Sequence, residues 1–147
     1  MEIVAADIMT RTVVTVTEQT LLEEAARLLD AHQITGLPVV DAEGRLTGIL
    51  SQSDLIRRTR WIGAWSPDLV CQVMSRNVIT VSPTEPLASL CQRMVEHRIH
   101  RVVVMEGEAI RGVLTTLDIL AVVAAGGIPR ESAAPLARLD EADFVCR

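Results

Sequence analysis

Apolar residues along this chain follow two spacings in alternation, and the alternation occurs twice. The run Val13-Val14-Thr15-Val16 is β-branched and predicts a short strand. Thr20-Leu-Leu-Glu23 then has the spacing of a capping box, which predicts a helix running to about His32. Further on, Leu87, Leu90, Cys91, Met94 and Val95 fall at i, i+3, i+4, i+7 and i+8, one apolar stripe of a helix that starts near Thr84 and Pro86. Each helix has one face to bury. After each comes a pair of apolar β-branched runs around a polar turn, "GLPVVDAEGRLTGIL" and "RVVVMEGEAIRGVL", which reads as a hairpin. Ser51 and Thr115 stand where N-caps belong, ahead of the helical runs "QSDLIRRTR" and "TLDILAVVA".

The unit is therefore β-α-β-β-α, written twice. At a spacing of 65 residues, that between Met9 and Met74, "DIMTRTVVTV" falls on "QVMSRNVITV", His32 on His97 and Ile34 on Ile99. The spacing becomes 64 between "GILSQSD" (Gly48 to Asp54) and "GVLTTLD" (Gly112 to Asp118), because the first hairpin turn is one residue longer. Insertions belong in turns. A copy of about 55 residues buries too little surface alone, so the two are expected to pack face to face about a pseudo-twofold axis in an α/β (α+β) fold. The copies are placed at 4–57 and 69–124, with a linker over 58–68 and a tail from 125 to 147. Trp61 and Trp65 in the linker are candidates to cover the seam. The Gly- and Pro-containing tail reads as extended, with one possible helix from Ala134 to Phe144.

Composition narrows the classes. Of 147 residues, 49% are hydrophobic but only three are aromatic, so the core must be aliphatic. No apolar run approaches the roughly 18 residues of a membrane span, and "MEIVAADIMTR" lacks the marks of a secretory signal, which points to a soluble cytoplasmic protein. Cys71, Cys91 and Cys146 have no ligand spacing and read as reduced thiols. A net charge of −5 gives nucleic-acid phosphates little attraction.

The repeated phrase carries candidate chemistry. A carboxylate has two acceptor oxygens for the two adjacent hydroxyls of a ribose, and Asp54 and Asp118 supply one carboxylate per copy. Ser51 and Thr115 open helices whose free N–H groups favour an anion, and Arg101 offers a fork of donors to a phosphate. The strands at Val13 to Val16 and Val78 to Val81 offer an apolar slot for a base. The same Ser-x-x-Asp and Thr-x-x-Asp are also capping boxes, needing no ligand. His100 and Arg101 weigh against that plain reading, because a pure core strand would not begin with them.

In its two ordered β-α-β-β-α copies, each starting near "VM(T/S)" and ending "G(I/V)L(S/T)xxD", residues 4 to 124 resemble a tandem pair of cystathionine-β-synthase (CBS) domains, a Bateman module. The resemblance implies a regulatory sensor that binds AMP, ADP, ATP, S-adenosylmethionine or a related adenosine ligand between the copies, without catalytic cofactor or metal. It implies one cleft built from Ser51, Ser53 and Asp54 with Thr80, Ile99, His100 and Arg101. The second would combine Thr115 and Asp118 with Thr15, Ile34, Thr35 and Gly36. Since Thr35 and Gly36 are uncharged where the other copy has His100 and Arg101, the first cleft is the better expectation for a phosphorylated ligand. An enzyme is not expected, since no nucleophile, base or metal cluster has the needed spacing. The alternative is a structural dimerisation module with empty clefts. A homodimer is expected from the apolar face of Leu22, Ala25, Ala26 and Leu29, and the regulated effector would be a separate protein.

Overall fold

The computed structural model describes residues 2–62 and 68–127, with side chains beyond Arg58 in the first span left aside. The readings of Trp61, Trp65, Cys146 and a helix over 134–144 fall outside this set. The elements in order are α1 (Ala5–Ile8), β1 (Val16–Thr17), α2 (Leu22–His32), β2 (Gly36–Val40), β3 (Leu46–Ser51), α3 (Gln52–Ile62), a 3₁₀ turn (Val70–Gln72), β4 (Thr80–Val81), α4 (Leu87–His97), β5 (Arg101–Glu106), β6 (Ala109–Thr115) and α5 (Thr116–Ala124). They form two three-stranded sheets, β1-β2-β3 and β4-β5-β6. In each, a short parallel strand joins an antiparallel hairpin. The repeated α+β architecture inferred from the spacing is present.

The two copies exchange their leading segments. Ala5 and Met9 lie in the core of the second sheet, with Val81, Leu90, Val102 and Leu114. Val70 and Met74 lie in the core of the first, with Leu29, Leu37, Val39 and Leu50. The glycines of the repeated phrase make the exchange possible. A Cβ at Gly48 would meet Met74 Sδ at 2.8 Å and the Ser75 carbonyl oxygen at 2.8 Å, and one at Gly112 would meet Met9 Sδ at 2.7 Å and the Thr10 carbonyl oxygen at 2.9 Å. Only a residue without a side chain lets a foreign strand run so close.

This exchange explains three departures from the sequence reading. The strands expected over 13–16 and 78–81 shrink to Val16–Thr17 and Thr80–Val81. Thr10 is still bridged to Val113, and Ser75 to Ile49, so each leader reaches its own sheet late. The capping box at Thr20 does not form either: α2 starts at Leu22, and Thr20 Oγ1 accepts from the Thr17 N–H at 3.1 Å. The free N–H of Leu22 donates to the Asp68 carbonyl at 2.9 Å, and that of Leu87 to the Ile3 carbonyl at 2.9 Å. Backbone leading into the opposite copy thus satisfies donors that a cap would otherwise take. Finally, Leu22, Ala25 and Leu29 are buried in the first core, so they offer no face to a second subunit.

Candidate functional site

Both candidate carboxylates sit where a sheet ends and a helix begins. Asp54 lies in the first turn of α3, with Oδ2 accepting from the Ser51 N–H at 2.8 Å and the Ser51 hydroxyl at 2.9 Å, while its own N–H donates to Ser51 Oγ at 3.3 Å. Asp118 repeats this with Thr115, at 2.8 Å from the N–H and 3.1 Å from the hydroxyl. The capping geometry is therefore real in both copies. It occupies only one carboxylate oxygen. Asp54 Oδ1 accepts from Arg57 Nη2 at 2.7 Å, whereas among the described residues Asp118 Oδ1 accepts no hydrogen bond. Arg57 is largely exposed, so its pair with Asp54 contributes little and can yield to a ligand.

Beside Asp54 lies a cavity of about 550 Å³. Its walls come from both copies: Asp54, Arg57 and Arg58 from α3, and Gln72, Val73, Met74 and Ser75 from the exchanged leader. Arg58 is held against Asp68 at 2.8 Å. The leader residues and the two arginines were not among the sequence candidates. The leader's only signal was that its "VMS" falls on "IMT" of the first copy, with Met74 matching Met9.

The remaining candidates surround the ends of the strands. Ser53 is exposed in the first turn of α3, and Thr15 and Thr80 are exposed at the edges of their sheets. Ile34 and Ile99 are half-buried, each packed on its own core. The Thr35 carbonyl accepts from the Gln52 N–H at 2.8 Å and the His100 carbonyl from the Thr116 N–H at 2.9 Å, which ties the start of each hairpin to the helix that follows it. Gly36 pairs with Ser51 and Arg101 with Thr115.

Arg101 does not keep to one group. Assigned by sequence to the Asp54 set, it donates from Nη2 to Thr35 Oγ1 at 2.7 Å, a residue of the Asp118 set. Burial lowers the guanidinium's proton affinity and the nearby Asp54 charge raises it, and Thr35, its bonding partner, is tied to Gln52 at the start of the helix that carries Asp54.

The model of the CBS domain family matches residues 4–60 and 70–125. The chain is 31% identical over 113 residues to the CBS domain-containing protein YhcV of Bacillus subtilis, covering 77% of this chain and 80% of that protein. It is 32% identical over 115 residues to homoserine O-acetyltransferase of Methanococcoides burtonii, which is 78% of this chain but only 23% of the enzyme. A solved structure of the CBS domain pair of protein MJ0100, in complex with 5′-methylthioadenosine and S-adenosyl-L-methionine, superposes with a TM-score of 0.80 at 27% identity, covering 86% of this chain and 99% of that one.

Proposed function

The chain belongs to the CBS domain family, and we propose that it is a regulatory module of the cytoplasm that binds an adenosine ligand between its two copies and signals to a separate effector. One observation carries the reading: Asp54, alone among the first-cleft candidates, borders a cavity of about 550 Å³ walled by both copies. That volume lies within the roughly 300–1,000 Å³ of small-molecule sites. A ligand there touches both halves, so its binding energy biases how the halves sit. The neighbour that holds 5′-methylthioadenosine and S-adenosyl-L-methionine supports an adenosine group as the common element.

In this reading Asp54 takes the ribose of the first cleft, flanked by Ser51 and Ser53, with Thr80, Ile99, His100 and Arg101 contributed by the other copy. Asp118 and Thr115 serve the second, with Thr15, Ile34, Thr35 and Gly36. AMP, ADP, ATP and S-adenosylmethionine all present the required ribose. No catalytic role is assigned, and the acetyltransferase activity of a relative more than three times as long stays with that relative.

The proposed unit is a homodimer, now through α5. Ile119 and Val122 face the second core, yet Leu117, Leu120 and Val123 on its other side are 72%, 60% and 49% exposed. A helix apolar on both sides is covered on both sides when its protein is assembled, and a second copy brings an identical patch.

Native mass spectrometry of freshly purified protein, followed by thermal melts with AMP, ATP, S-adenosylmethionine and 5′-methylthioadenosine, tests the reading. A co-purified adenosine compound, or a melting temperature that rises with one of them, supports it. Failure of all four to bind or stabilise leaves the structural dimerisation module.

A further inference from the structure

The two candidate carboxylates share one kind of cap but are not equally free to bind anything else. A carboxylate has about four places for donors on its two oxygens. On Asp54, Ser51 fills two of them at Oδ2, with its N–H and its hydroxyl, and Arg57 Nη2 fills a third at Oδ1, 2.7 Å away. On Asp118, Thr115 fills two at Oδ2, and Oδ1 accepts nothing among the described residues. The difference is written in the repeat: at the spacing of 64 that puts Asp54 on Asp118, Arg57 falls on Ala121. An alanine side chain donates nothing. A ribose brings two adjacent hydroxyl donors, so Asp118 has room for both, whereas Asp54 has room for about one while Arg57 stays.

We propose that Arg57 is an internal competitor for the ribose of the first cleft, so that an adenosine ligand enters there only in exchange for the Arg57–Asp54 ion pair, a cost the second cleft does not carry. The inference rests on the adenosine-ligand reading given above. Position supports it, because Arg57 lines the same cavity as Asp54 and so stands on the approach to that carboxylate. Exposure supports it too. The Asp54 side chain is 11% exposed and that of Arg57 62%, so the acid is fixed in the wall while the arginine is free to swing into water. An exposed pair of this kind is weak, which sets the size of the effect: releasing Asp54 costs a ligand about 2- to 5-fold in affinity. Salt screens the pair, and adenosine carries no charge of its own, so first-cleft binding of adenosine should tighten as salt rises. Arg57 touches no ligand in this scheme; it acts through Asp54.

Calorimetry of the full chain with adenosine, at low and at high salt, tests this directly. Asp118→Ala leaves the first cleft to be read alone, and Asp54→Ala the second. Adding Arg57→Ala to the Asp118→Ala protein should tighten adenosine by about 2- to 5-fold and abolish the tightening with salt. In the Asp54→Ala protein the same change should do nothing, while Ala121→Arg, at an exposed position three residues after Asp118, should weaken adenosine by a like factor and bring in the salt response. An ion pair that only steadies α3 would lower the melting temperature of the ligand-free protein and leave both the affinity and its salt dependence unmoved. A double variant that binds adenosine no more tightly than Asp118→Ala alone overturns the competition, with the adenosine reading intact as long as the unsubstituted chain binds. Failure of the unsubstituted chain to bind adenosine also overturns the competition, and failure with AMP, ATP and S-adenosylmethionine as well overturns the reading beneath it.

Discussion

Replacing Gly48 by alanine sets a methyl group 2.8 Å from the Ser75 carbonyl oxygen and 2.8 Å from Met74 Sδ. The sulfur can swing away, but the carbonyl is backbone and is fixed by two bonds: Ile49 N–H to the Ser75 oxygen and Ser75 N–H to the Ile49 oxygen, each 2.9 Å. Losing both costs about 2 kcal/mol, at about 1 kcal/mol each. Pushing Met74 partly out of the first core adds about 1–2 kcal/mol, a fraction of a full methionine truncation. The lower chain entropy of alanine in the unfolded state offsets about 0.5 kcal/mol. The net loss is about 2–4 kcal/mol, or roughly 6–12 °C of melting temperature for a chain of this length. Urea denaturation gives the free energy, and amide exchange reports on Ile49 and Ser75 individually. Gly44→Ala is the control: Gly44 has φ of +80° but nothing within 4 Å of a new Cβ, so it should lose only the left-handed strain of about 1–2 kcal/mol and leave those two amides protected. A Gly48→Ala protein that melts with the parent and keeps Ile49 and Ser75 protected would refute the close crossing. Gly112→Ala, against Met9 and Thr10, should repeat the loss in the other half.

Asp118→Ala should cost about 1 kcal/mol of stability through the lost cap bonds but about 2–4 kcal/mol of adenosine affinity, read by melts and calorimetry together; a stability loss with unchanged affinity would leave Asp118 a cap alone. Gln33 ends α2 with φ of +52°, so Gln33→Gly should stabilise by about 0.5–1 kcal/mol in a denaturation curve. The N–H groups of Arg45 and Glu43 and the Arg45 side chain hold the Asp41 carboxyl below its usual range, the Arg45 backbone most strongly. Its contribution to the turn is present above the ordinary aspartate value and is lost as pH falls through the lowered one, which an NMR titration of Asp41 should show as a midpoint below that of a free aspartate. Leu120→Glu should convert a dimer to single subunits in light scattering without lowering ligand affinity.

The helices and hairpins were legible because each carries its own period: the stripe from Leu87 to Met94 and the β-branched pairs about the two turns need no distant partner. The boxes at Ser51 and Thr115 were legible for the same reason, each spanning only four residues. What sequence hid was everything that depends on the other copy. Thr20 has a perfect capping pattern, yet the Asp68 carbonyl takes the donor instead. Met74 and Ser75 read as alignment landmarks, when their role is to wall a cavity beside Asp54. Arg101 and Thr35 were divided between two clefts because they stand 66 positions apart, and nothing in either local stretch shows that they meet.

The exchange of leading segments also sets an order on the protein's birth. A ribosome delivers the chain from its N-terminal side onward, and the first sheet is complete in sequence once Ser51 has emerged. Its core is not, since Val70 and Met74 are still to come. Meanwhile Ala5 and Met9, made earlier still, have no home until Leu114 exists. Contacts closed over such long stretches of chain form late. The nascent protein must therefore carry an unfinished apolar core and an unclaimed apolar leader until the second copy is made, and the stretch with a self-sufficient core runs from about 10 to 75, out of step with the repeat written in the gene.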